Sequence, residues 1–269
     1  MSAPSQPPVV WITGASSGIG EALARTYAQA PGGAELILSA RSADKLEALR
    51  ASLPEPDRVR VLPVDLNQPD SLPEVIEAAL SWKNRIDVLV NNAGISQRSQ
   101  ILDTDMPTCR RVMEVNFFGA VALTVGVVPG MVERGHGRIV NISSVTGYVA
   151  TPGRGAYAAS KHAIRGWSDG LRCELTGTGV SVTIICPGYV QTAIARNALQ
   201  GDGNALNADD PSVQGGITAE AMATRIHTAA QRGEREVYFG GKEILAIYIK
   251  RYAPGFGAWL LSKVYPPER

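Results

Sequence analysis

Val9-Val10-Trp11-Ile12-Thr13-Gly14-Ala15-Ser16-Ser17-Gly18-Ile19-Gly20 decides the fold. The apolar run Val9 to Ile12 breaks into a turn holding Gly14, Gly18 and Gly20, which passes into helical Glu21-Ala22-Leu23-Ala24-Arg25-Thr26-Tyr27. Strand, glycine turn and helix in that order make a phosphate site. The glycines permit a tight turn and close backbone approach, and the helix start presents free N–H groups to a pyrophosphate. The spacing is G-x-x-x-G-x-G, not the G-x-G-x-x-G of the general dinucleotide fingerprint.

The same alternation continues along the chain. Glu35 to Ala40 reads as a second strand and Val59 to Val64 as a third, closed by Asp65-Leu66. Ser71 to Trp82 reads as a helix that tolerates Pro73 in its first turn. Ile86 to Val90 is a further strand running into Asn91-Asn92-Ala93-Gly94, at the edge where an open parallel sheet binds its ligand. Strands alternating with helices predict an α/β fold, a Rossmann-like doubly wound parallel sheet, with residues 1–269 as one domain. A dinucleotide site of this kind that prefers NAD carries an acid about 20 residues past the glycines. Ala40 offers none, and Arg41 beside it suits a 2′-phosphate, so NADP(H) is expected over NAD(H), although Asp44 keeps NAD(H) in view.

A second stretch carries the chemistry. Tyr157 and Lys161 stand four apart, ahead of Ala163, Ile164, Trp167, Leu171 and Leu175 at helical spacing, so both project from one helix face. A phenol titrates near pH ~10, too high for rapid proton exchange at neutrality, and an adjacent ammonium favours the phenolate. Ser144 follows the strand-like run Arg138 to Ile142 and has no adjacent base, so it is read as a hydrogen-bond donor to a substrate oxygen and not as a nucleophile. Asn116, taken alone, reads as a helix-kink or packing polar group.

Composition removes several function classes. Twenty-six basic residues against 25 acidic ones leave a net charge of +1, with no general attraction to nucleic acid. Cys109, Cys173 and Cys186 are odd in number and widely spaced, which excludes a disulfide framework and a zinc site. His136, His162 and His227 have no ligand spacing either, so no metal is expected. Met1 to Pro8 lacks a basic start and an apolar core, so no secretory signal is expected and a cytoplasmic location follows.

With these motifs on the page, the chain resembles the short-chain dehydrogenase/reductase family over nearly its whole length. The resemblance implies that Thr13, Gly14, Ser16, Ser17, Gly18, Ile19 and Gly20 hold the cofactor turn, with Asp65 and Leu66 toward adenine and Asn92, Ala93 and Gly94 beside them. It implies Asn116, Ser144, Tyr157 and Lys161 as the catalytic set, Asn116 holding a water that links the lysine to solvent. Pro187, Gly188, Val190 and Thr192 resemble the family's Pro-Gly-x-Val-x-Thr segment, which holds the nicotinamide carboxamide. A homodimer or homotetramer is implied as well.

Residues 193–216 mix apolar residues with Gly, Asn, Asp and Pro and read as a substrate lid. Thr218-Ala219-Glu220 opens a helix, and Glu236 to Phe239 is the last strand. The tail from Gly240 is apolar and basic together, interrupted by Lys250-Arg251 and Pro254, and too short to span a bilayer, which needs ~20 residues. It is expected to pack on this subunit, on a partner or on the lid, or to rest on a membrane surface. The expected activity is NADP(H)-dependent hydride exchange with a small-molecule carbonyl or alcohol of apolar character. The alternatives are an NAD-dependent alcohol dehydrogenase and a non-catalytic dinucleotide-binding regulatory protein.

Overall fold

A computed structural model describes residues 6–208 and 210–264; Met1 to Ser5, Asp209 within the expected lid and Tyr265 to Arg269 of the tail lie outside the described residues. The first half runs β1 (Val9–Thr13), α1 (Gly18–Gln29), β2 (Glu35–Ser39), α2 (Ala43–Ser52), β3 (Val59–Val61), α3 (Leu72–Lys83) and β4 (Val88–Asn91). It continues through α4 (Met106–Met113), a π-helical turn (Glu114–Phe118), α5 (Gly119–Arg134), β5 (Gly137–Ile142), α6 (Gly155–Glu174) and β6 (Val180–Pro187). The remainder is α7 (Pro211–Gln214), α8 (Ala219–Arg232), β7 (Glu236–Phe239), α9 (Leu245–Tyr252) and α10 (Pro254–Val264).

Seven strands pair in the order β3-β2-β1-β4-β5-β6-β7, every pair parallel. The chain winds outward in both directions from β1 and β4, which creates a crevice at the carboxyl ends of those two strands. Alternation along β1 explains its unbroken apolar run: Val10 and Ile12 enter one core with Leu23, Tyr27 and Ile226, while Val9 and Trp11 enter the other with Leu123 and Met131. Helices cover both faces, so neither face of the strand can be polar. Leu171 and Leu175 of the α6 stripe also reach the second core.

Two strand ends differ from the sequence expectation. β3 stops at Val61, although Leu62 and Val64 on either side of Pro63 still donate to Leu38 and Ala40 at 3.0 Å, so the edge pairing runs on past the strand. β4 begins at Val88; the Asp87 backbone before it still donates to Val9 O at 2.8 Å, and its side chain turns back to accept the N–H of Val9 at 2.8 Å and an ion pair from Arg85 at 3.0 Å. Below the sheet's ligand edge a buried polar chain ties four elements: Asn91 donates to Thr124 and Asn141, and Asn141 donates to Ser168, all within 2.9 Å. This chain of buried hydrogen bonds fixes the relative positions of β4, β5, α5 and α6, and each break would leave a desolvated group unpaired.

Candidate active site

The carboxyl ends of β1, β2, β4, β5 and β6 open into one cleft of about 990 Å³. At its floor, Gly18 has φ +57°, and a Cβ there would sit 2.9 Å from Thr192 Cγ2. Gly20 packs so closely on the carbonyl of Gly14 that no side chain fits, which seats the start of α1 directly behind the turn. Gly14, Ser16, Ser17, Gly18 and Ile19 line the cleft, whereas Thr13 and Gly20 stand behind its wall. Thr13 is a staple: its Oγ1 donates to Val90 O at 3.2 Å and accepts from the N–H groups of Asn92 and Ala93 at 3.1 Å. It shapes the turn and does not face the cleft.

Arg41, Ser42 and Lys45 line one end, with Asp65 and Leu66 opposite. Neither Arg41 nor Lys45 pairs with a carboxylate among the described residues. Asn92, Ala93 and Gly94 form the middle, and Pro187, Gly188, Val190 and Thr192 the far wall. The glycine turn, the open start of α1 and the cations at the adenine end fit a phosphorylated dinucleotide.

Ser144, Tyr157 and Lys161 gather at the bend of the cleft. Ser144 accepts the N–H of Thr146 at 3.1 Å, and its hydroxyl faces the Tyr157 phenol closely enough to favour the phenolate. Its neighbour Ser143 is turned inward, donating to the carbonyl of Lys161 at 3.0 Å. Burial pushes the Tyr157 phenol upward; the nearby Arg154 charge and the Ser144 hydrogen bond oppose that. Lys161 Nζ donates to Ile142 O at 2.8 Å and lies 5.8 Å from the Tyr157 ring centre. Burial lowers the Lys161 pKa to about 8, against an opposing pull from Cys186.

Asn116 does not line the cleft. The π-helical turn aims its amide at the loop after β4, where Oδ1 accepts from Ile95 N at 2.8 Å and Nδ2 donates to Ile95 O at 2.9 Å and Ser160 Oγ at 3.0 Å. Ser160 in turn donates to the Tyr157 carbonyl at 2.7 Å. Asn116 thus joins the loop following Gly94 to the helix carrying Tyr157 and Lys161. π-Turns recur at such places because one extra residue redirects a side chain.

The lid is tied to the body. Leu199 exchanges backbone hydrogen bonds with Ser96 and Arg98 at 2.9 and 2.7 Å, and Ala195, Ala198 and Leu199 are buried. The tail packs on its own subunit: Ile247 is buried, and Ala246, Leu260 and Leu261 line the cleft, while Tyr252, Phe256 and Trp259 remain exposed. Sequence reasoning missed five charged lining residues, Lys45, Arg98, Arg111, Arg154 and Glu243. Only Arg98, four residues past Gly94, had a local signal.

A parallel doubly wound sheet with this cleft defines a dinucleotide-binding oxidoreductase. Residues 8–203 match the family model described as short chain dehydrogenase. A Drosophila melanogaster protein named dehydrogenase/reductase SDR family protein 7-like is 38% identical over 261 residues, covering 95% of this chain and 79% of its own. A short-chain dehydrogenase from Streptomyces avermitilis superposes with a TM-score of 0.83 at 29% identity, covering 97% of this chain and 98% of its own. One from Sphingobium yanoikuyae, in complex with NADPH, does so at 0.76 with the same identity and coverage. The chain belongs to the short-chain dehydrogenase/reductase family.

Proposed function

We propose that this chain is an NADP(H)-dependent reductase or dehydrogenase of lipophilic carbonyls and alcohols. The observation that carries it is the convergence of Ser144, Tyr157 and Lys161 at the bend of a cleft whose far end carries Arg41 and Lys45. The NADPH held by the Sphingobium yanoikuyae relative supports the same cofactor. Arg41, Ser42 and Lys45 would hold the 2′-phosphate, the turn from Gly14 to Ile19 the diphosphate, and Val190 and Thr192 the carboxamide. The cofactor supplies hydride at its nicotinamide ring.

The chain's own residues do the rest. Ser144 Oγ donates to the substrate carbonyl and polarises it. Tyr157 gives its proton to the forming alkoxide, or takes one from an alcohol in the reverse direction, and the Arg154 charge favours the resulting phenolate. Lys161 holds the ribose hydroxyls, and Asn116 keeps the loop and catalytic helix in register for a relayed proton. Val149, Ile194, Leu260 and Leu261 supply apolar wall, which supports an apolar substrate body.

Exposed Phe118, Val125 and Val132 on the π-turn and α5 support a homodimer or homotetramer. Exposed Tyr252, Phe256 and Trp259, flanked by Lys250, Arg251 and Lys263, support peripheral membrane contact by a cytoplasmic protein. The test is oxidation of NADPH and of NADH over a panel of carbonyls, with Tyr157→Phe alongside. Turnover that prefers NADH, or survives in the variant, would overturn the reading.

A further inference from the structure

The substrate half of the cleft is more cationic than an apolar carbonyl requires. Arg98, from the loop after β4, and Arg154, three residues before Tyr157, both line it, as does Arg111 of α4. The carboxylates lining the cleft are Asp65, at the adenine end, and Glu243, which is held by backbone N–H groups. The two guanidinium groups from the separate loops meet at one place. Arg98 Nη2 bonds Asp210 Oδ2, and Arg154 Nη2 approaches the same oxygen at 3.3 Å. Asp210 is carried by the lid, directly before α7, whose Val213 lines the cleft. Asp210 is well shielded at 10% exposure and Arg154 largely so at 20%, while Arg98 keeps 34% of its side chain open to solvent.

Two partly buried cations sharing one carboxylate oxygen outnumber it in charge, and Arg111 adds to them without an ion pair among the described residues. A guanidinium pair is suited to carboxylate or phosphate by its planar fork of donors. We propose that Arg98 and Arg154 form a subsite for an anionic group of the substrate, carboxylate or phosphate, and that Asp210 occupies it until the substrate displaces it. Resting on the carbonyl-reductase reading above, this makes the substrate amphiphilic: an anionic end at the arginines, an apolar chain along Val149 and Leu260, and the reacting carbonyl at Tyr157. Replacing Asp210 by another carboxylate leaves the field at Tyr157 nearly unchanged, so binding and proton transfer do not conflict.

The test uses the full chain with NADPH and three long-chain ketones of equal length, ending in methyl, carboxylate or phosphate. The quantity read is the ratio of kcat/KM for each anionic ketone to that of the neutral one. Wild type is expected to favour an anionic member by about tenfold or more, as a charged hydrogen-bonding pair affords. Arg98→Gln is expected to erase that preference, Arg98→Lys to retain part of it, and Asp210→Asn to increase it. The carboxylate and phosphate arms identify the group. A ratio near one, or one that Arg98→Gln leaves intact, overturns the subsite. Asp210→Asn acting equally on neutral and anionic ketones would reduce Asp210 to a lid latch and overturn the displacement. Calorimetric binding of dodecyl phosphate and dodecanoate against dodecanol needs no turnover. Binding of an anion that depends on Arg98, with no ketone reduced, sinks the carbonyl reading and leaves the subsite standing; no such binding sinks the subsite.

Discussion

Glu243, on the far side of β7, accepts the backbone N–H of Tyr189 at 2.9 Å and that of Gly241 at 3.0 Å with the same carboxylate oxygen. Gly188 and Gly240 lie against that oxygen where any side chain would collide. The tail therefore holds the Pro187–Val190 loop directly. Burial pulls the Glu243 carboxyl upward, and the backbone N–H groups of Gly241, Glu243 and Tyr189 outweigh it, so the net shift is downward. Glu243→Ala is expected to raise the KM for NADP(H) about tenfold, with a smaller change in kcat, and Glu243→Gln to recover most of the loss. Steady-state kinetics of the two variants check this; equal loss in both would mean charge, not the hydrogen-bonded tie, is what matters.

Tyr157→Phe removes the hydroxyl proposed as proton donor and leaves the ring packing in place. Turnover is expected to fall by about 10²–10⁴-fold, while the cofactor's dissociation constant changes little. Rate and fluorescence titration on the same preparation separate the two.

Arg41→Ala is expected to weaken NADPH by about 10–100-fold and NADH far less, because only the former carries the 2′-phosphate that Arg41 and Lys45, both lining the cleft, are proposed to hold. Equal weakening of both cofactors, measured by titration, would remove Arg41 from that role.

Lys161 gives a pH signature in the cofactor-free protein. Its pKa is about 8 folded against 10.5 for a solvated lysine, so between these values the unfolded chain binds more protons and stability rises with pH. Below pH 8 the cost of burying the ammonium is present in full. The rise amounts to about 3 kcal/mol. Cys186, which burial pushes up to about 12, contributes in the opposite sense, so the measurement is a difference. Urea unfolding from pH 7 to 10.5 is expected to show a stability gain in wild type relative to Lys161→Met.

Asn116→Ala would strand the N–H and C=O of Ile95 and the Ser160 hydroxyl's acceptor role in a buried setting. A loss of about 2–3 kcal/mol is expected, read as a lower denaturant midpoint with an unchanged slope.

The strands and the glycine turn were legible because each depends on neighbours in sequence. Val9 to Ile12 is apolar on both faces, and Gly14, Gly18 and Gly20 punctuate one turn. Strand ends were less so: Asp87 reads as part of a strand until its side chain is seen folding onto Val9, 78 residues away. The charged lining was hidden for the same reason. Arg98, Arg154 and Asp210 are single loop charges in the chain, and they become a cluster only when the lid crosses the loop after β4. Asn116 was assigned by resemblance, but its grip on Ile95 depends on a helix irregularity that composition does not announce.

That irregularity sets a requirement on chain length. A π-turn accommodates one residue more than an α-turn, and each α-helical residue advances the side chains by about 100°. Removing a single residue between Glu114 and Phe118 would let Met106 to Arg134 run as one regular α-helix. The half that buries Leu123, Val127 and Met131 would stay seated, and the half bearing Arg111 would swing off the cleft. The count of residues in this helix, more than their identity, keeps the two halves of the molecule in phase.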